Sequence, residues 1–464
     1  MRAVGARKKS MDSVKGVRPG LRPATSRSSS GLTSAATGSG GRAGALRALI
    51  FSGLRYLVGL VLATLRKAEY FELLVLFFIQ GAAMAIWFVP LGPILDAHGL
   101  HGIKPYAFAA SAIAAFVSPL MFGAMADRHV PPAKVLRWLA TATAITLTAV
   151  GTAIKYDAHP WLVLLLIQIY YLAYAPMFSI SSALVLARLA DAKKEYGPIR
   201  SMATIGWMAG ALMVSALNAD TSPYAGYYAA AMWLLVAGFT FFLPQLEVPK
   251  SAENLAWHER LGLDALTLLK NPRHRVVFIT TSLLSIPLAA FYPYAPTHLR
   301  ALGFDHTSAW MSLAQVSEIV AMFSLGWLLF NWRLKWIFAA GLAIGVVRFA
   351  LSAWDERYFL LTGIMLHGAS FALVFITAQI YLDQNIEGAW RTRAQALLSF
   401  MNGGIGNLIG YLGTGWWFNA CTRASGTHWP WFWGGLAALV TAVMIYFLLA
   451  FREKPTPTAA ALTQ

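Results

Sequence analysis

Glu318 lies in the middle of a long apolar run, Ser312-Leu-Ala-Gln-Val-Ser-Glu318 followed by Ile-Val-Ala-Met-Phe. Low dielectric disfavours a lone carboxylate, so a buried acid can take a proton on one side of a barrier and release it on the other. Gln315 stands three residues earlier, shares the helix face and can point at the same cavity. A structural ion pair with Arg348, in Val346-Val-Arg-Phe-Ala-Leu351, is the plainer use of that carboxylate. Arg348 itself reads first as a pairing or packing residue. His367, in Leu366-His-Gly-Ala-Ser-Phe371, is either a satisfied packing residue or a group that handles substrate or proton.

A second constellation occupies Gly197-Pro-Ile-Arg-Ser-Met-Ala-Thr-Ile-Gly-Trp207. Arg200, Thr204 and Trp207 fall at i, i+4 and i+7, one stripe of a helix. Guanidinium, hydroxyl and indole supply charge-assisted donors, a hydrogen bond and a stacking plate. An arginine near the end of a span can also simply snorkel to the interface. Gly206 and Gly210, four apart, favour close helix contact. The run Gly123-Ala-Met-Ala-Asp-Arg128 ends another apolar stretch ahead of Lys134. There Asp127 and Arg128 either clasp neighbouring helix ends in one conformational state or form a solvated turn. Gln80, Gln168, Gln379, Gln395, Asn402 and Asn407 read as interhelical hydrogen-bond partners.

Enzyme signatures are absent. His258-Glu-Arg-Leu-Gly262 lacks the second histidine of a zinc-protease helix, and neither a phosphate-cradling glycine loop nor a Gly-x-Ser-x-Gly elbow occurs. The pattern implies no cofactor and no metal, so uphill work must draw on an ion or solute gradient. A single cysteine, Cys421, excludes an intramolecular disulfide and reads as a packed apolar residue.

These residues are carried by apolar runs that fill nearly everything after residue 68. A helix crosses the hydrocarbon core in roughly 20 apolar residues. The expected spans are 69–96, 104–126, 133–154, 160–187, 198–218, 223–244, 274–300, 308–330, 334–352, 357–382, 393–418 and 428–451. Helices are required because lipid offers no partner to open backbone groups, and the runs lack the alternation of a barrel. The composition, 58% hydrophobic and 12% charged with a mean hydropathy of +0.56, agrees with an all-α integral membrane protein.

The formal charge of +17 is distributed in the manner of a membrane protein. Of 37 basic residues, 13 precede residue 68, 18 fall in or beside one set of alternate loops and the tail, 5 on the opposite side, and Arg348 lies inside a span. This bias expects both termini in the cytoplasm, and the basic excess then reports topology rather than a nucleic-acid partner. Residues 1–44 are too polar to fold, and read as a disordered basic tail with a possible lipid-headgroup contact. Residues 45–67 place Ser52, Arg55, Gly59 and Arg66 on one stripe, the pattern of an interfacial amphipathic helix. The long connection 245–273, with a short helix expected near 255–270, divides the spans into six-helix bundles 69–244 and 274–451, with a tail 452–464.

Several stretches resemble the nucleoside:proton symporter family of the major facilitator superfamily. They are Gln80 with Trp87-x-x-x-x-Gly92, Gly123 to Lys134, Pro198-Ile-Arg-x-x-x-Thr-Ile-Gly206, Leu261-Gly-Leu-Asp-Ala265, Met311-Ser-x-x-Gln-x-Ser-Glu318, Arg348-Phe-Ala-Leu351 and Arg393-Ala-Gln395. The resemblance implies a twelve-helix major facilitator fold in which Arg200, Thr204, Gln315 and Glu318 contact substrate, with Trp207 placed to stack on a base. The chain departs from the family where Ala289 and Tyr292 replace amides and Ala372 replaces an aspartate. Losing such partners costs ~1–3 kcal/mol each where the opposing groups stay buried.

The resulting expectation is an inner-membrane secondary transporter importing a small polar organic solute, nucleoside-like, with a proton. Glu318 would carry the proton, Arg200, Thr204 and Gln315 would hold polar groups, Trp207 and Tyr292 would stack on a ring, and His367 would line the site. Two alternatives stay open: a carrier or exporter of a sugar, aromatic acid or peptidoglycan fragment, and a non-transporting sensor on the same fold.

Overall fold

Backbone N–H and C=O groups inside long apolar runs can be satisfied only within the run itself, and this chain does so by winding into helices almost throughout. The computed structural model describes residues 70–128, 130–190, 192–243 and 263–452. The basic tail, the interfacial segment 45–67, the C-terminal tail beyond 452 and most of the 245–273 connection lie outside them. Leu263–Lys270 is a 3₁₀ stretch.

The helices run α1 Phe71–Ala97, α2 Lys104–Arg128, α3 Pro132–Lys155, α4 Pro160–Leu186, α5 Ala192–Ala216 and α6 Tyr224–Phe239. After the connection come α7 Pro272–Ala301, α8 Leu313–Asn331 preceded by a turn at Thr307–Met311, α9 Leu334–Ser352 and α10 Arg357–Asn385. Then follow α11, built of Gly388–Ser399, Phe400–Gly406 and Asn407–Cys421, and α12 Trp429–Ala450. Seven of these, α1, α3, α4, α7, α9, α10 and α12, are long and apolar enough to cross a membrane. Proline sets internal breaks: α1 steps at Val89–Pro90 and α4 at Ala175–Pro176, where the ring removes a backbone donor. Helix α5 begins at Ala192, six residues before the expected start, and Pro198 lies inside it. The charged first turns of that helix carry no apolar signal, so sequence periodicity reads the boundary late.

Apolar side chains gather in two large clusters. One is drawn almost wholly from α1–α6 around Trp87, Tyr170, Tyr171 and Trp233, the other mostly from α7–α12 around Phe291, Tyr294, Phe338 and Trp433. Among the described residues, hydrogen bonds between the two sets of helices gather at one end. There Thr297 of α7 donates to the Asp96 carboxylate at 2.8 Å and accepts from Lys104 at 3.3 Å, while Lys104 also donates to Asp96 at 2.7 Å within the first set. Nearby, Asp220 accepts from the Ser308 backbone N–H at 2.6 Å and from Thr307, while the Ser215 hydroxyl accepts from the Ala309 N–H at 2.9 Å.

The pairing of α1 with α5 explains the glycines of the Arg200 segment. A β-carbon on Gly206 would run into the Phe78 backbone carbonyl, so only hydrogen fits between the two helices. Gly206→Val is expected to force α1 and α5 apart and lower stability by about 1–3 kcal/mol or more. Thermal unfolding in detergent, compared with wild type, checks this.

Candidate functional site

Where the two sets of helices face each other, a chamber of about 480 Å³ opens. Helix α5 presents Arg200, Ala203, Thr204 and Trp207 to it. Helix α8 presents Gln315 and Glu318, and Tyr174 of α4, Tyr292 of α7 and His367 of α10 complete the polar lining. The structure thus brings together Arg200, Thr204, Trp207, Tyr292, Gln315, Glu318 and His367.

The Arg200 guanidinium lies 4.3 Å over the Phe178 ring, a cation–π seat that orients its donors without neutralising it. The half-buried Glu318 carboxylate makes no hydrogen bond or ion pair with a described residue, and Arg200 is the cation that acts on it across the chamber. Gln315 donates through Nε2 to the Tyr292 hydroxyl at 3.4 Å, and its buried carbonyl oxygen has no partner. Trp207, Tyr292 and Phe88 form an aromatic corner with ring centroids 5.0–5.8 Å apart. Chemically, the chamber offers a positive donor and a hydroxyl on one wall, an amide and a carboxylate on the other, and flat aromatic faces between them.

The carboxylate's position is set from behind. The Ser317 hydroxyl donates to the Met365 carbonyl and accepts from the Ala369 N–H at 3.1 Å, inserting itself between groups four residues apart on α10. Gly368 packs there against the backbone of Ala314 and Glu318, and a β-carbon on it would lie 2.6 Å from Glu318 Cβ.

Arg348 does not pair with Glu318. It is 2% exposed, makes no ion pair among the described residues, and rests over Phe349 at 4.2 Å and Phe291 at 5.0 Å. Its Nε and one terminal nitrogen have no partner. The His367 ring stacks on Phe291 at 3.7 Å, so Arg348 is separated from the chamber wall by one aromatic ring. The amides divide. Gln168 reaches the Ala110 carbonyl, Gln395 the Gln379 carbonyl, and Asn402 accepts from Ser282, as expected of interhelical partners. Gln80 does not: it is 1% exposed with both amide atoms unpaired. Cys421 is buried and free. Gly123, Asp127 and Arg128 end α2, but their side chains are outside the described set.

Residues 68–456 match the model of a family described as Nucleoside H+ symporter. The chain belongs to the nucleoside H+ symporter family. It is 31% identical over 410 residues to YegT of Escherichia coli (strain K12), whose name is that of a nucleoside transporter, covering 84% of this chain and 94% of that protein. It is 25% identical to the nucleoside permease NupG of the same organism, covering 82% and 96%. The crystal structure of nucleoside transporter NupG superposes with a TM-score of 0.75 at 25% identity, covering 83% of this chain and all of that one. A D-xylose-proton symporter shares the major facilitator fold alone, at 14% identity and a TM-score of 0.62. The symporter family comprises transporters, not enzymes, and this member is a multi-pass membrane protein.

Sequence reading missed Met84, Phe178 and Phe371 in the apolar part of the symporter's chamber, and the Tyr174 hydroxyl in its polar part. An aromatic among apolar residues carries no distinguishing signal. It also missed that two family-like fragments meet, Arg393 donating to Asp264 at 2.6 Å. Gly368→Ala is expected to displace Glu318 and weaken nucleoside binding several-fold, with a stability cost of about 1–3 kcal/mol. Ligand titration and thermal unfolding on the same sample measure both.

Proposed function

We propose that this protein is a proton-coupled nucleoside importer working by alternating access. The observation carrying this reading is that Arg200 and Thr204 from one set of helices, and Gln315 and an unpartnered Glu318 from the other, line a single chamber. A neutral polar solute could be held between the sets, so its binding would respond to their relative tilt.

In this reading α1–α12 each cross the bilayer, giving twelve spans in two six-helix bundles, 69–244 and 274–451. Both termini lie in the cytoplasm, and residues 45–67 lie in the interface as an amphipathic helix. Arg200, Thr204 and Gln315 hold ribose or base polar groups, Trp207 and Tyr292 stack on the base, and His367 closes one side. Glu318 takes a proton from the outer face and gives it up inside, with the membrane potential contributing ~2.3 kcal/mol per charge per 100 mV. Asp96, Asp220 and Ser308 then lie at the outer end, and their bonds hold the outward path shut. Gly123, Asp127 and Arg128 serve as the conformational loop on the inner side.

Glu318→Gln keeps the shape and a hydrogen-bonding group but cannot cycle a proton. Gradient-driven uptake of labelled nucleoside into proteoliposomes is expected to fall roughly 5–150-fold, the span of common coupling energies. Exchange of nucleoside across the membrane without a gradient is expected to persist. Undiminished gradient-driven uptake in this variant would remove Glu318 from the coupling role.

Asp220→Ala leaves the Ser308 N–H without its acceptor and weakens the closed outer end by about 1–3 kcal/mol. With Cys421 replaced and Ala203→Cys in the chamber, external labelling by a membrane-impermeant maleimide is expected to rise. Unchanged labelling would mean that the latch does not govern outward opening.

A further inference from the structure

A second chamber of about 350 Å³ adjoins the first and shares Tyr292, His367 and Phe371 with it. It lies between α7, α10 and α11, with Phe88 of α1 at its edge. Its lining carries three carboxamides, Gln379, Asn402 and Asn407, and no Asp, Glu, Lys or Arg. The Gln379 and Asn407 side chains hold no hydrogen bond to a described residue, and Asn402 uses its carbonyl oxygen to accept from Ser282 at 3.1 Å. Asn402 joins α11 to α7 through its carbonyl oxygen, whereas Gln379 and Asn407 join no helices among the described residues, which leaves those two amides open to a solute in the cavity.

The backbone around this chamber is unusual on both sides. Helix α10 winds as a π-helix over Ala372–Ile376 and α11 over Phe400–Gly406, bringing Phe375, Asn402 and Gly403 to the wall. Such segments leave the regular hydrogen-bonding ladder and occur frequently at functional sites. Meanwhile Ala289 supplies only a methyl group on the α7 side. The carboxamides of this wall therefore all come from α10 and α11, while α7 adds the Ser285 and Tyr292 hydroxyls.

Carboxamides donate and accept at once, which matches hydroxyls and other carboxamides. With no Lys or Arg in the wall, an anionic group would find no permanent counter-charge there. We infer that the second chamber, through Gln379, Asn402 and Asn407, is a specificity subsite for an uncharged, hydroxyl-rich extension of the transported nucleoside, such as an added glycosyl unit. This rests on the nucleoside-transport reading of the first chamber. A transport cavity must also drain, and a mere exit path would treat every solute alike.

The test is competition against labelled uridine uptake in proteoliposomes, using uridine, a neutral uridine hexoside and uridine monophosphate. Wild type is expected to bind the hexoside at least as well as uridine and to reject the monophosphate. Gln379→Ala, Asn402→Ala and Asn407→Ala are each expected to weaken the hexoside by about two- to tenfold, the range of one hydrogen bond, with uridine changed less than about twofold. Ser399→Trp, which fills the chamber from an exposed position, is expected to exclude the hexoside while uridine uptake confirms folding. Hexoside rejected by wild type that carries uridine, or equal losses for both solutes in the variants, would overturn the subsite alone. Failure of wild type to take up uridine at all would instead remove the nucleoside reading and the subsite with it.

Discussion

A carboxylate with no hydrogen bond or ion pair among the described residues is the constraint around which this molecule is arranged. Deep in a membrane protein such a group is tolerable only beside water or ligand, or in its protonated form. Glu318 meets that condition because the two sets of helices do not pack flush at its level but leave a chamber. The chamber's charge is balanced across the gap by Arg200 rather than by direct pairing. A direct pair would be hard to separate once desolvated. Standing apart, each group stays available to a solute or a proton. Phe178 and a hydrogen bond to Tyr196 hold the guanidinium in place without supplying a full counter-charge, so the fixed positive group still faces the chamber.

Holding that geometry imposes demands on the surrounding backbone, and they are met by removing bulk and interrupting ladders. Hydrogen at Gly206 and Gly368 lets α5 approach α1, and α10 approach α8, at the level of the functional side chains. The Ser317 hydroxyl enters the α10 ladder one residue from Glu318. A few residues further along, α10 loosens into its π segment. The prolines that break α1 and α4 and the one near the α7 break stand within two residues of the lining side chains Phe88, Phe178 and Leu288, so irregular backbone is found beside the cavities. Non-helical or strained backbone is tolerated at membrane depth where it lines a cavity.

The legible part of the sequence was whatever contrasted with its surroundings. Long apolar runs against short polar loops gave the helices, and α9 begins and ends at the expected residues, 334 and 352. Polar residues within apolar runs gave Arg200, Thr204, Gln315 and Glu318, because a costly group in lipid is conspicuous. Contrast fails for Phe178 and Phe371, which look like any lipid-facing aromatic until the helix turns them inward. It fails also for pairing: Arg348 and Glu318 are opposite charges on successive helices, yet Phe291 and Phe349 take the arginine instead. Gln80 and Asn407 carry the same sequence signal as Gln168, and only three-dimensional packing distinguishes an amide that finds a carbonyl from one that does not.

The end of the molecule closed by Asp96, Lys104, Thr297, Asp220 and Ser308 differs in kind from the apolar clusters on either side. An apolar seal loses its stabilisation in proportion to the area exposed when it opens, roughly 25 cal/mol per Å². A hydrogen-bonded seal exchanges protein partners for water, at a net cost of only ~0.5–1.5 kcal/mol per bond, provided that water reaches every group released. Asp96 is partly exposed already, and Asp220 lies at the α5–α6 turn, so both can rehydrate as the helices separate. The contacts therefore resist partial opening, which strands buried donors, more than full opening, which solvates them. That asymmetry favours two well-defined arrangements over a continuum, as alternating access requires.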